Sequence, residues 1–119
     1  MLIDTTVKQP AAQRLYFDID QYADGNMAFK NKLVLSMIDN VNELQQSLRI
    51  AIKQENSEIF SKACHKVKPT IGILNDKGFA DTIELLKVQK ENSIIEAFEK
   101  ICQGIIAMLE KEVAKALVI

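Results

Sequence analysis

The chain has 119 residues, 48% hydrophobic and 26% charged, with 15 Lys and Arg against 16 Asp and Glu and a formal charge of -1. That length carries one hydrophobic core and excludes a kinase, a polymerase or any catalytic domain of ordinary size. The composition is that of a globular chain, and the near-neutral balance lacks the basic footprint of nucleic-acid binding.

Uncharged runs such as 101–109 fall well short of the roughly 18 to 20 apolar residues needed to span a bilayer, so no membrane insertion is expected. Asp4 and the lack of a basic stretch before an apolar one leave no secretory signal, so the expected compartment is the cytoplasm. Cys64, Cys102 and a single histidine, His65, give too few donors for a tetrahedral zinc site, and two cysteines in such a chain are expected as buried thiols. The four glycines form neither GxGxxG nor GxxxxGK, so no bound cofactor, nucleotide or metal is expected on this chain.

In chain order, residues 1–17 read as a partly irregular N-terminal segment and 18–119 as one helical domain. Residues 18–23 read as a short helix, stopped by a turn at Asp24-Gly25. From Asn26, an N-cap, the residues Phe29, Leu33, Met37, Val41, Leu44, Leu48 and Ala51 recur at spacings of three and four, one face of a long helix reaching Gln54. Spacing alone leaves open whether it is one helix or two collinear ones meeting near Asn40.

The next helix is expected after Asn56, another cap, and runs to about Leu74, where Asn75 and Gly78 flank its exit. A further helix over 79–89 turns Ile83 and Leu86 inward. Ser93-Ile94-Ile95-Glu96 has the form of a capping box opening the last helix, whose stripe is Phe98, Ile101, Cys102, Ile105, Leu109 and Val113. The expected fold is all-α: an antiparallel four-helix bundle with a short extra N-terminal helix.

The third long segment is the informative one. At about 100° per residue with Phe60 at zero, Ala63, Cys64, Val67, Ile71 and Leu74 all fall between roughly 300° and 40°, a core face, while His65 falls near roughly 140° and points to solvent. Its neighbours one and two turns away are Ser61, Lys68, Pro69 and Gly72: small groups that leave the imidazole open, and one ammonium suited to an anion beside it. Pro69 in mid-helix removes an N–H and clashes with the His65 carbonyl, which typically costs about 3 kcal/mol and kinks the helix. The plain alternative is a solvated histidine with no role.

The run His65-Lys66-Val67-Lys68-Pro69-Thr70-Ile71-Gly72 resembles the signature of histidine-containing phosphotransfer (HPt) domains, with Lys three and a small residue seven positions after the histidine. Asp24-Gly25-Asn26 with Phe29 and Leu33, the apolar stretch from Leu44 to Ala51, and the polar break Gln54-Glu55-Asn56 extend the resemblance from about residue 18 to the end. The chain departs from the family pattern at Pro69 and Asn75, where the family more often has Gly. It departs again at Lys87, which stands where an acid or amide often hydrogen-bonds the imidazole. Lys87 is then either a second cation or leaves that role to Glu84 or Gln89.

The resemblance implies a phosphorelay intermediate. His65 accepts a phosphoryl group from a phospho-aspartyl response-regulator receiver and passes it to another, Lys68 stabilises the group, and Ser61, Pro69, Gly72 and Lys87 support it. Mg²⁺ belongs to the partner receiver, and a sensor or hybrid histidine kinase stands upstream. The chain itself is expected to be a monomeric phosphocarrier without ATP-dependent kinase activity.

Apolar residues off the core stripe, Met27, Val34, Leu35 and Ile38, with Leu15, Tyr16, Phe17, Ile19 and Tyr22 before them, divide between packing the short first helix and a receiver-docking patch, whose candidates are chiefly Tyr22, Met27 and Ile38. Two other readings compete: a helical docking module that binds receivers without carrying phosphate, and a hydrolase with Ser61 as nucleophile and His65 as base. The hydrolase lacks any group to orient the imidazole and any oxyanion donor.

Overall fold

Short polar side chains set where the helices start. The computed structural model describes Ile19 and residues 24–118, with side chains as far as residue 113. Five α-helices, and no strand, occur among the described residues: α1 (Met27–Lys53), α2 (Ser57–Lys66), α3 (Lys68–Leu74), α4 (Lys77–Val88) and α5 (Asn92–Val118). The Asn26 side chain accepts from the Phe29 N–H at 2.9 Å, Asn56 from Glu58 at 3.1 Å and Asp76 from Phe79 at 3.0 Å. Each satisfies an amide that a helix start leaves without an intrahelical partner.

Asn75 closes α3 in the left-handed conformation, φ 48° and ψ 42°, and Asp24-Gly25 makes the expected turn at φ 50° and 80°. α1 is a single helix. It ends with Glu55 at φ 52°, where the Asn56 N–H donates to the Ala51 carbonyl at 2.9 Å and Glu55 to Ile52 at 3.2 Å, a Schellman closure built without glycine. α5 begins at Asn92, so Ser93 lies inside its first turn and is not the cap; the Glu91 carbonyl accepts the amides of Ile94 and Ile95.

Two readings of the pattern are corrected. The inward face of α1 in its first turns is Lys30 and Val34, both buried, while Phe29 is 46% exposed and Leu33 half-buried, so Val34 is core and no part of a docking patch. The apolar pattern misread this end because Lys30 is held inside by Glu112 of α5 at 2.8 Å.

The histidine segment, expected as one helix, is two, meeting at Val67 (φ -97°, ψ 15°). Pro69 thus sits in the first turn of α3, where a missing N–H is tolerated and the steric cost of a mid-helix proline is avoided. The junction stays tight: Val67 N–H donates to Ala63 at 3.0 Å, and Ile71 N–H to Val67 at 3.1 Å.

The pairs Lys30–Glu112, Gln45–Gln103 and Arg49–Glu99 run α1 and α5 antiparallel along their length. α1 also packs on α2, and α4 on both α5 and α2. Phe98 of α5 ties the short helices in: its ring meets Phe60 of α2 edge-on at 5.9 Å and stacks on Phe79 of α4 at 6.1 Å, all three fully buried. Of the short helix expected over 18–23 only Ile19 is described; it is helical and fully buried in this core. No described helix is long and apolar enough to cross a membrane.

Candidate functional site

His65 lies in the last turn of α2, exposed, on the side turned away from Phe60, Ala63 and Cys64, which face the core. The break at Val67 leaves Lys68 opening α3 directly after it. Two contacts clamp the α2–α3 junction onto α1. Lys66 Nζ donates to Glu43 at 3.1 Å, and Asn40 Nδ2 donates to the buried Thr70 Oγ1 at 2.6 Å. Residues on both sides of the break are therefore tied to one long helix.

α4 forms the opposite wall of a depression of about 390 Å³. Ser61, Cys64, His65, Lys68 and Ile71 line it from α2 and α3, and Ala80, Ile83, Glu84 and Lys87 from α4. Four of the six supporting and acceptor residues read from the sequence, Ser61, His65, Lys68 and Lys87, are thus brought together. Gly72 lies in an adjoining depression that shares Ile71 and Ala80, and Pro69 lines neither. A Cβ built on Gly72 meets nothing within 4 Å, so the fold itself has room for a side chain there.

Of the proposed docking residues, Met27 is 38% exposed, Ile38 is half-buried against the core, and Tyr22 lies outside the described residues.

The imidazole has no hydrogen-bond partner among the described residues, and neither do the two candidates for that role reach it. Glu84 Oε2 accepts from Lys87 Nζ at 3.0 Å, and Gln89 is the exposed cap of α4 outside the pocket. Lys68 has no described carboxylate within ion-pair distance.

Cys64, read from the sequence only as core, also lines the pocket; burial pushes its thiol up to about 11, against the pull of Lys87 and with the push of Glu84, which disfavours the thiolate. Cys102 is likewise a buried free thiol, raised to about 12 chiefly by burial. No group of three or more His, Cys, Asp and Glu side chains that would hold a metal stands together among the described residues.

No protein-family model, curated protein or solved structure matches the chain.

What this arrangement offers chemically is an accessible imidazole beside two ammoniums in one shallow pocket. Neutral imidazole is a good nucleophile near neutral pH, and ammonium groups suit the oxygens of a phosphoryl group or another small oxyanion.

Proposed function

We propose that this chain is a phosphocarrier of the HPt kind, an antiparallel four-helix bundle in which His65 takes a phosphoryl group from a receiver's phospho-aspartate and returns it to another receiver. The observation that carries the reading is the shared pocket: an exposed imidazole with no partner among the described residues, together with Lys68 and Lys87. In the transfer the imidazole lone pair forms the new N–P bond as the P–O bond to the aspartate breaks. The aspartate leaves as carboxylate, and the ring carries a phosphoryl dianion and a positive charge that solvent relieves by taking the N–H proton. Such a transfer asks for in-line access and neutralised charge more than for covalent machinery on this side. Lys68, which has no competing carboxylate among the described residues, is the first cation to meet the phosphoryl oxygens.

The partner supplies Mg²⁺ and its own acidic pocket, and this chain acts without a nucleotide or a kinase activity of its own. Gly72, which the fold does not need as glycine, keeps the approach to the pocket low for a docking surface. The test is transfer from a panel of phosphorylated receiver domains, with His65→Gln as control. Acid-labile, base-stable label on the wild type alone supports the carrier; binding to a receiver with no label on either protein would replace it with a docking module.

A further inference from the structure

The pocket around His65 has a carboxylate in its wall, and that carboxylate is already engaged. Lys87 Nζ donates to Glu84 Oε2 at 3.0 Å, one turn back on α4, whereas Lys68 across the pocket has no described carboxylate to pair with. The two ammoniums facing His65 are therefore not equivalent. The Glu84 side chain is 70% exposed and that of Lys87 35%, so their pair stands at the water boundary, where ion pairs are weak and exchange readily.

A phosphoryl group on His65 brings nearly two negative charges into this space. Lys87 must then divide itself between a carboxylate and a dianion. The charges of Lys87 and Glu84 already act in opposite directions on the Cys64 thiol, which lies in the same wall next to His65.

We infer that Glu84 is a positioning residue that competes with the phosphoryl group for Lys87, and so sets how tightly His65 holds phosphate relative to a receiver aspartate. The inference rests on the carrier reading of His65. With Glu84 present, Lys68 alone is fully committed to the phosphoryl oxygens, and the bound group stays easy to give back. Without Glu84, both ammoniums are committed and the balance shifts toward phosphohistidine.

The experiment reads the ratio of phosphohistidine to phospho-aspartate by phosphorus NMR, with one phosphorylated receiver and wild type, Glu84→Gln, Lys87→Gln or the double variant. The expected ratio rises by about 1.4- to fivefold in Glu84→Gln, the span measured for exposed pairs, and falls by a similar factor in Lys87→Gln. In the double variant it equals that of Lys87→Gln alone, because there is no lysine left to compete for. Glu58→Gln, which breaks an exposed Lys62–Glu58 pair at 3.8 Å elsewhere on α2, leaves it at the wild-type value.

An unchanged ratio in Glu84→Gln overturns the inference. So does a rise that persists in the double variant, since simple repulsion between carboxylate and phosphoryl needs no lysine. No phosphohistidine in any variant overturns the carrier reading, and this inference with it, and is distinguishable from the other failures by the missing signal.

Discussion

The α1–α5 pair and the α2–α3–α4 face handle charge in opposite ways. The two long helices, 27 residues each, join charges across their interface, down to a Lys30–Glu112 contact of 2.8 Å whose side chains are 11% and 1% exposed. The three short helices leave an imidazole and an ammonium without partners among the described residues and place them around a depression. Polar groups on the first face are joined to one another, while the second holds paired groups, Lys66, Thr70 and Lys87, beside His65 and Lys68, which have no partner among the described residues. Stability and chemistry are thus separable in this molecule, and substitutions on the two sides differ in which of them they move.

The largest expected effect is on stability. Phe98→Ala removes the ring that joins α5 to Phe60 and Phe79, and costs about 3–5 kcal/mol in urea unfolding. Lys30→Met removes the 2.8 Å ammonium partner of the buried Glu112 and lowers the urea midpoint, whereas His65→Gln on the exposed face costs less than about 0.5 kcal/mol. A His65 substitution as costly as either would erase the contrast between the two faces.

Transfer activity divides the other way. Lys68→Gln lowers the transfer rate to His65 by about tenfold or more, the worth of one charge-assisted contact, without shifting the urea midpoint. Gly72→Ala leaves the fold intact, since its Cβ has open space, and slows transfer by hindering the approach of the receiver; equal rates would remove Gly72 from the site.

Asn40→Ala falls between the two classes. It leaves the buried Thr70 hydroxyl without its 2.6 Å partner at a cost of about 1–3 kcal/mol, and it loosens α3, so stability and transfer fall together.

The buried thiols predict a pH dependence. Both are raised from 9.0, Cys64 to about 11 and Cys102 to about 12, mainly because burial disfavours the thiolate. The folded state therefore holds these protons more tightly than the unfolded state. The thiols' contribution is complete below pH 9 and is lost as pH rises from there toward 11 to 12. Unfolding midpoints of the wild type drop more between about pH 8 and about pH 10 than those of a Cys64→Ala/Cys102→Ala variant.

The smallest effect is a gain. Glu55→Gly relieves a left-handed residue at the end of α1 and raises stability by up to about 1 kcal/mol.

Much of the helix layout was legible because its signals are local. Asn26 and Asn56 cap, Asn75 turns left-handed, and the stripe of α5 is buried at Phe98, Cys102, Ile105 and Leu109. Lys30, Glu112 and Thr70 were not legible as interior residues, because each meets a polar partner 30 or more positions away. The proline after His65 announced a disturbance, but not that the helix would stop at Val67 and restart with Pro69 in the harmless first turn.

The same division holds at the site. The helical spacing places Ser61, His65 and Lys68 together, since they share one stretch of chain. Bringing Glu84 and Lys87 opposite them depends on how α4 registers against α2, which no pattern within a single helix specifies. The Glu84–Lys87 pair itself is an i,i+3 contact within α4, so spacing alone permits it; that Glu84 does not reach the imidazole follows from the register.

The most direct measurement is to map the phosphate after exposure to phosphorylated receivers, by fragmenting the intact chain in a mass spectrometer under mildly alkaline conditions. One phosphate on His65, absent from His65→Gln while that variant still binds the receiver, is the predicted result. Phosphate on any other residue, or none from any receiver that binds, would contradict a carrier centred on His65.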